Sequence, residues 1–171
     1  MRVVARSRIE QATFGLLDAS PLCAISTVSP HDAAHINTAY FVWSHDLDIF
    51  WLSDPTATHS RNIHVRPRTA IAVYESHQVW GKPDRGIQLF GSTIRLPATD
   101  TALAESLYAA RFPGYAAPAL RGYRFYRFRT NRLRVFDEPV FGSGVFVTAK
   151  IDAQRHLIWE RTDIAGGAEA T

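Results

Sequence analysis

FWLSDPTATHSRNIHVRPRTAIAVY, residues 50–74, decides how the rest of the chain is read. Phe50-Trp51-Leu52 is aromatic and apolar, and Ala70-Ile71-Ala72-Val73-Tyr74 is a second apolar run with β-branched and aromatic members; both predict strands. Between them, Ser53, Thr56, Thr58, His59, Ser60 and Arg61 crowd hydrogen-bond donors into a short polar segment. Asp54-Pro55 predicts a helix start, with Asp as cap and Pro in the first helical position, and Pro67 predicts its end. That helix carries little apolar surface beyond Ala57, Ile63 and Val65, so burial of an amphipathic face explains it poorly. Two readings stand side by side. Hydroxyls and Asp gather at helix starts to cap free amides, and a helix N-terminus ringed by hydroxyls, an imidazole and a guanidinium is also a seat for a phosphate.

Working outward, 171 residues with 46% apolar and 20% charged content fit one globular domain, 1–171, with a flexible tail over 165–171. A chain of this length buries about 70% of its unfolded surface and needs no metal or disulfide staple. Cys23 is the only cysteine, which excludes an internal disulfide and a zinc ribbon; in the run Pro21-Leu22-Cys23-Ala24-Ile25 it reads as a small buried hydrophobe. No apolar run approaches the ~20 residues of a membrane span. The opening MRVVARSRIEQ lacks the apolar core of a signal peptide, so a cytoplasmic location is expected.

Ser7 and Glu10 form a capping-box pattern before a helix carrying Ile9, Ala12, Phe14, Leu16 and Leu17. Strands are expected over 22–28, 35–43, 47–53, 69–76 and 87–96, with a turn at Ser29-Pro30-His31-Asp32. Gly91 inside a strand points to a bulge or a close backbone approach. Residues 100–112 predict a helix with Leu103, Leu107 and Ala110 on one side. Strands follow over 123–129 and 133–136 around a Thr130-Asn131 turn, then a hairpin of 145–151 with 156–159. Short antiparallel strands with helices interspersed predict an α+β barrel, not a parallel doubly wound sheet.

The order of these segments resembles the pyridoxamine 5'-phosphate oxidase-like FMN-binding split-barrel superfamily. PLCAISTVSP, HINTAYFVW, LDIFWLSD, THSRNI with HVRPRTAIAVYES, and GIQLFGSTIRL follow one another as the strands and phosphate turn of that family do, over roughly residues 7–138. The resemblance implies a mainly β, antiparallel six-stranded split barrel that binds FMN at the interface of a homodimer. It assigns the flavin ring to Asn37 and Thr38, with Leu52 and Ser53 beside it, and the phosphate to Thr58, His59, Ser60 and Arg61. Gln88 aligns with a cofactor-side strand position, and Trp80 is a candidate for stacking on a ring. This chain departs from the family where Thr58 and His59 stand in place of lysine or arginine; a neutral imidazole donates a hydrogen bond without a charge. The arginine-rich C-terminal segment of true pyridoxamine phosphate oxidases has no counterpart in YRFYRFRTNRLRVFDE or FGSGVFV. The resemblance therefore implies an FMN-dependent oxidoreductase acting by hydride transfer on another small molecule. A deazaflavin-dependent reductase and a non-catalytic flavin- or haem-binding protein are the alternatives.

Six arginines between Arg121 and Arg134 alternate with aromatics, which suits a nucleic-acid strand or a strand with one wet face. No nucleic-acid motif accompanies them and the net charge is only +3, so the wet strand is expected, or a seat for deazaflavin's anionic tail. His31 with His35, and His59 with His64, lack an acidic third ligand at familiar spacing, so no metal is expected. Gly142-Ser143-Gly144 lacks the frame of a nucleophile elbow, and phosphate loops of the P-loop type are absent. No side chain stands out as catalytic, so the chemistry is expected to belong to a cofactor.

Overall fold

The computed structural model describes residues 3–75, 77–116 and 120–165. Its elements are α1 (Arg6–Ala19), β1 (Leu22–Val28), β2 (Ala34–Tyr40), β3 (Val42–Trp43), β4 (Asp48–Ser53), α2 (Thr58–Val65), β5 (Arg68–Tyr74), β6 (Arg85–Arg95), α3 (Ala102–Arg111), β7 (Arg124–Asp137), α4 (Glu138–Phe141), β8 (Val145–Ile151) and β9 (Leu157–Ile164). Hydrogen bonds link the strands in the order β2-β1-β5-β6-β7-β4-β3, with β8 beside β7 and β9 beside β8. Every strand pair with a defined register is antiparallel, and the chain is α+β as expected. Six strands are the number expected for the barrel; the sheet as a whole has nine, the short β3 and the β8–β9 hairpin among them. The tail expected over 165–171 falls, from 166 on, outside the described residues.

The chain divides into two compact units, residues 1–20, 72–89 and 131–171 forming one and residues 21–71 and 90–130 the other. In the first, α1 buries Ile9, Ala12, Thr13, Leu16 and Leu17, the i, i+3, i+4, i+7, i+8 stripe of an amphipathic helix. It packs against β9. The expected capping box does not form. Ala5 is the N-cap with no side-chain bond, because Glu10 pairs instead with Arg6 at 2.6 Å, one turn back.

The second unit carries the candidate site. Cys23, Ile25 and Thr27 of β1 point inward, and burial pushes the Cys23 thiol up to about 12. The strand expected over 35–43 is split at Phe41, fully buried, whose amide donates to the carbonyl of Pro21. Below α3 lies a cluster of Val42, Phe50, Leu96, Ala104, Tyr108 and Phe125, with Leu52 packed against it. The inward residues of α3 are thus Ala104 and Tyr108, one turn apart, with Leu107 packed beside them as expected; Leu103, 53% exposed, and Ala110 face outward, contrary to expectation. Gly91 is required by close approach: a Cβ there would lie 2.0 Å from the carbonyl oxygen of Arg129.

β7 runs unbroken through the expected Thr130-Asn131 turn. Thr130 is buried and its hydroxyl donates to Leu47 O at 2.6 Å, whereas Asn131 and Arg132 are both unburied, so the alternation changes phase there and resumes with Leu133 inward. The β7 arginines occupy the wetter positions of the strand. Arg127 and Arg129 face the carboxylate of Asp48 at 3.9 and 3.8 Å, Arg132 pairs with Glu160 at 2.8 Å, and Arg134 with Asp163 at 3.7 Å.

Candidate functional site

β4 ends on Ser53, and the chain turns before α2. In that turn the Asp54 carboxylate accepts hydrogen bonds from the amide and hydroxyl of Thr56 at 2.7 and 2.8 Å, which hold its carboxyl below the usual carboxylate range. The expected helix start at Asp54-Pro55 is therefore displaced to Thr58. Local side-chain bonding to the backbone competes with capping for the same oxygen. Ala57 is the N-cap and no side chain bonds it. The leading amides of α2, on Thr58, His59 and Ser60, have no intrahelical acceptor and no side-chain cap.

The inner flank of α2 faces β1, β2 and β4. His59 is buried, and its Nε2 lies 2.6 Å from Ser53 Oγ. The imidazole of His35, on β2, stacks on it with ring centroids 6.4 Å apart and an 8° interplanar angle. Burial, and then the proximity of His35, lowers the pKa of His59, so the ring is neutral at neutral pH. Asn62 Nδ2 donates to Thr27 Oγ1 at 3.1 Å and fixes the helix to β1. Ser60 Oγ donates to Asp54 O at 2.7 Å. Arg61 donates to Thr56 O at 2.5 Å and to Thr58 Oγ1 at 3.5 Å, so it braces the turn while remaining exposed.

Asn37 lies two residues along β2 from His35 and shares its face. Its Nδ2 reaches only the carbonyl of Thr38, at 3.4 Å, and its Oδ1 is buried with no partner among the described residues. Such an atom costs about 1–3 kcal/mol unless a ligand or water supplies a donor. Thr38 points to the opposite, exposed face, paired in register with Ala24.

The structure thus brings Ser53, Thr58, His59, Ser60 and Arg61 together, and His35 and Asn37 extend the inner flank. Leu52 packs into the apolar cluster, and its amide donates to Tyr108 Oη at 3.3 Å. Trp80 and Gln88 belong to the other unit; the Trp80 side chain is wholly exposed and Gln88 is exposed on β6. The His35–His59 stack and the Thr27–Asn62 bond escape sequence reasoning, since both join residues far apart in the chain. The one available signal was that His35 shares a period-2 face with Asn37. Among the described residues no group of three His, Cys, Asp or Glu side chains is placed to hold a metal ion.

As a donor set this suits a phosphorylated cofactor. Uncapped helix amides and the Thr58 hydroxyl favour an anion, and the orphan Asn37 Oδ1 is an acceptor for a ring N–H. The charge a lysine would supply is missing; a bound phosphate would have to draw it from protonation of an imidazole.

An antiparallel α+β split barrel with a polar helix start beside it defines a class of cofactor-binding proteins. The family model for pyridoxamine 5'-phosphate oxidase matches residues 9–137, and the chain belongs to that family. No curated protein sequence matches it. Among solved structures it is similar to a protein of unknown function from Agrobacterium tumefaciens (20% identity, 78% of this chain and 58% of that one, TM-score 0.65). It is also similar to a haem-binding protein from Mycobacterium smegmatis (15%, 88% and 59%, TM-score 0.68). A third is an FAD-binding protein from Mesorhizobium loti (14%, 72% and 89%, TM-score 0.57). The chain spans less than two thirds of the first two. At these identities the likeness is one of fold.

Proposed function

We propose that the protein is an FMN-dependent oxidoreductase that transfers hydride to or from a small molecule in the cytoplasm. The observation that carries this reading is the uncapped start of α2, with Thr58 and His59 at its mouth and an unpartnered Asn37 oxygen on the neighbouring strand. The amides of Thr58 to Ser60 would hold the phosphate, His59 would donate to it when protonated, and Ser53 would orient that ring. Asn37 would accept from the flavin edge. The flavin supplies the redox chemistry when bound; the chain's part is to bind it, orient it and keep water away.

The homodimer belongs to the same proposal. Leu22 and Tyr40 pair in register, as do Ser26 and Ile36, so Leu22, Ile36 and Tyr40 share one sheet face while 42%, 69% and 61% exposed. An apolar face of this kind suits a second copy. Ile36→Asp with Tyr40→Asp should halve the mass measured by light scattering; an unchanged mass would remove this face from the interface.

Purified protein titrated with FMN should quench flavin fluorescence with one cofactor per chain. No quenching would overturn the flavin reading. A haem-binding reading is supported by the two stacked imidazoles, His35 and His59, which have no carboxylate partner among the described residues; a Soret band with haemin, lost in His35→Ala, would favour it. The arginine argument for deazaflavin narrows to Arg121 and Arg124, because Arg127 and Arg129 share the Asp48 carboxylate and Arg132 and Arg134 face Glu160 and Asp163.

A further inference from the structure

α2 has a second flank. Successive residues turn by about 100° around a helix, so Ser60, Ile63 and His64 fall on a side away from Asn62, which faces β1. That flank, with Thr93, Ile94 and Arg95 of β6 and Tyr126 of β7, encloses an open groove of about 700 Å³. Its apolar lining is Pro55, Ile63, Val65, Pro67, Ile94 and Tyr126, and Tyr126 is held flat against Trp51 with centroids 5.8 Å apart. Its charged lining is all of one sign, Arg61 and Arg95, with His64 also in its wall and no carboxylate.

The contrast with β7 gives this charge its meaning. Four β7 arginines face Asp48, Glu160 or Asp163. Arg95 makes no ion pair or hydrogen bond among the described residues, and Arg61 has only a carbonyl and a hydroxyl. An apolar slot with an unneutralised guanidinium at its edge is complementary to a flat ligand bearing one negative group. It borders the proposed cofactor seat at Ser60 and Arg61, but neither His59 nor His35 lines it, and Ile63, Ile94, Arg95 and Tyr126 belong to it alone.

We propose that this groove is a binding site for a small aromatic carboxylate, its ring lying among Ile63, Ile94 and Tyr126 and its carboxylate paired with Arg95. The proposal goes beyond the flavin reading and does not depend on it.

The test uses 1-naphthoate and its uncharged isostere 1-naphthamide, added to the full-length 15N-labelled protein without FMN. Naphthoate should shift amides over 60–66 and 93–95 and saturate at one per chain. Naphthamide should bind about tenfold more weakly, since it cannot form the charge-assisted pair. Arg95→Gln should bring the two affinities together while leaving the rest of the spectrum and FMN quenching unchanged. Arg61→Gln should narrow the gap by a smaller factor. Equal affinity of the two probes, shifts centred on residues 36–40, or an undiminished preference in Arg95→Gln would each overturn the proposal. FMN quenching that fails while naphthoate still binds would sink the flavin reading and leave this one standing.

Discussion

Leu52 and Ser53 are consecutive residues of β4, yet they belong to opposite kinds of environment. Leu52 enters the cluster beneath α3, where every strong polar group has a partner: Tyr108 Oη donates to Tyr40 O at 2.7 Å and receives the Leu52 amide. Ser53 faces His59 at the start of α2, where the helix amides are uncapped and, on the adjoining β2, Asn37 Oδ1 has no partner among the described residues. The first region is complete in itself. The second is incomplete: an unmatched buried oxygen beside uncapped helix amides leaves donors and an acceptor for a ligand to satisfy. Adjacent residues of one strand therefore divide stability from function simply by pointing to opposite faces.

The sharpest way to break that division is to damage the completed side. Tyr108→Ala should cost about 3–5 kcal/mol in urea unfolding, as expected for removing a large buried aromatic. Tyr108→Phe keeps the ring but strands the Leu52 amide and the Tyr40 carbonyl, at about 1–3 kcal/mol. If FMN affinity per folded molecule fell more than about tenfold in Tyr108→Phe, the two regions would not be separable.

Changes on the incomplete side should reverse the pattern. His59→Gln should weaken FMN about tenfold by fluorescence titration while shifting unfolding by less than about 1 kcal/mol. Acid should expose the same residue. The folded pKa of His59 lies below its ordinary value of 6.5, so just below 6.5 the unfolded chain binds more protons than the folded one. Stability without cofactor should therefore fall as the pH drops through 6.5 and level off below the folded value. His59→Gln should flatten that part of the curve. FMN binding should carry the opposite sign, taking up a proton near neutral pH, detectable by calorimetry in buffers of different ionisation enthalpy. The smallest effect belongs to Asn37→Leu, which removes the orphan oxygen: stability within about 0.5 kcal/mol of the parent or above it, with weaker FMN binding.

The family, most strand positions along the chain and the polar turn were legible because they rest on local pattern: the apolar run Ala70 to Tyr74, the glycine at 91, the hydroxyls from Thr56 to Ser60. What sequence concealed were choices among competing partners. Asp54 looks like a cap until Thr56 takes its carboxylate, and Ser7 looks like one until Glu10 finds Arg6. Leu103 outranks Tyr108 on any hydrophobicity scale, yet only the tyrosine has a carbonyl and an amide waiting for its hydroxyl. Thr130 reads as turn-forming until Leu47 O, 83 positions away, accepts its proton. Each of these is a tertiary contact overriding a sound local inference.

The lone thiol offers an unplanned instrument. Cys23 is sealed inside the sheet, 2% exposed, with its acidity suppressed to about 12, so an aromatic disulfide reagent meets neither access nor thiolate in the closed molecule. Labelling must wait for β1 to peel away, and its rate becomes a clock for that excursion. With no second cysteine to confuse the count, the clock can be run unaltered, with and without FMN; slower ticking in the loaded protein would reveal how firmly the cofactor latches the strand.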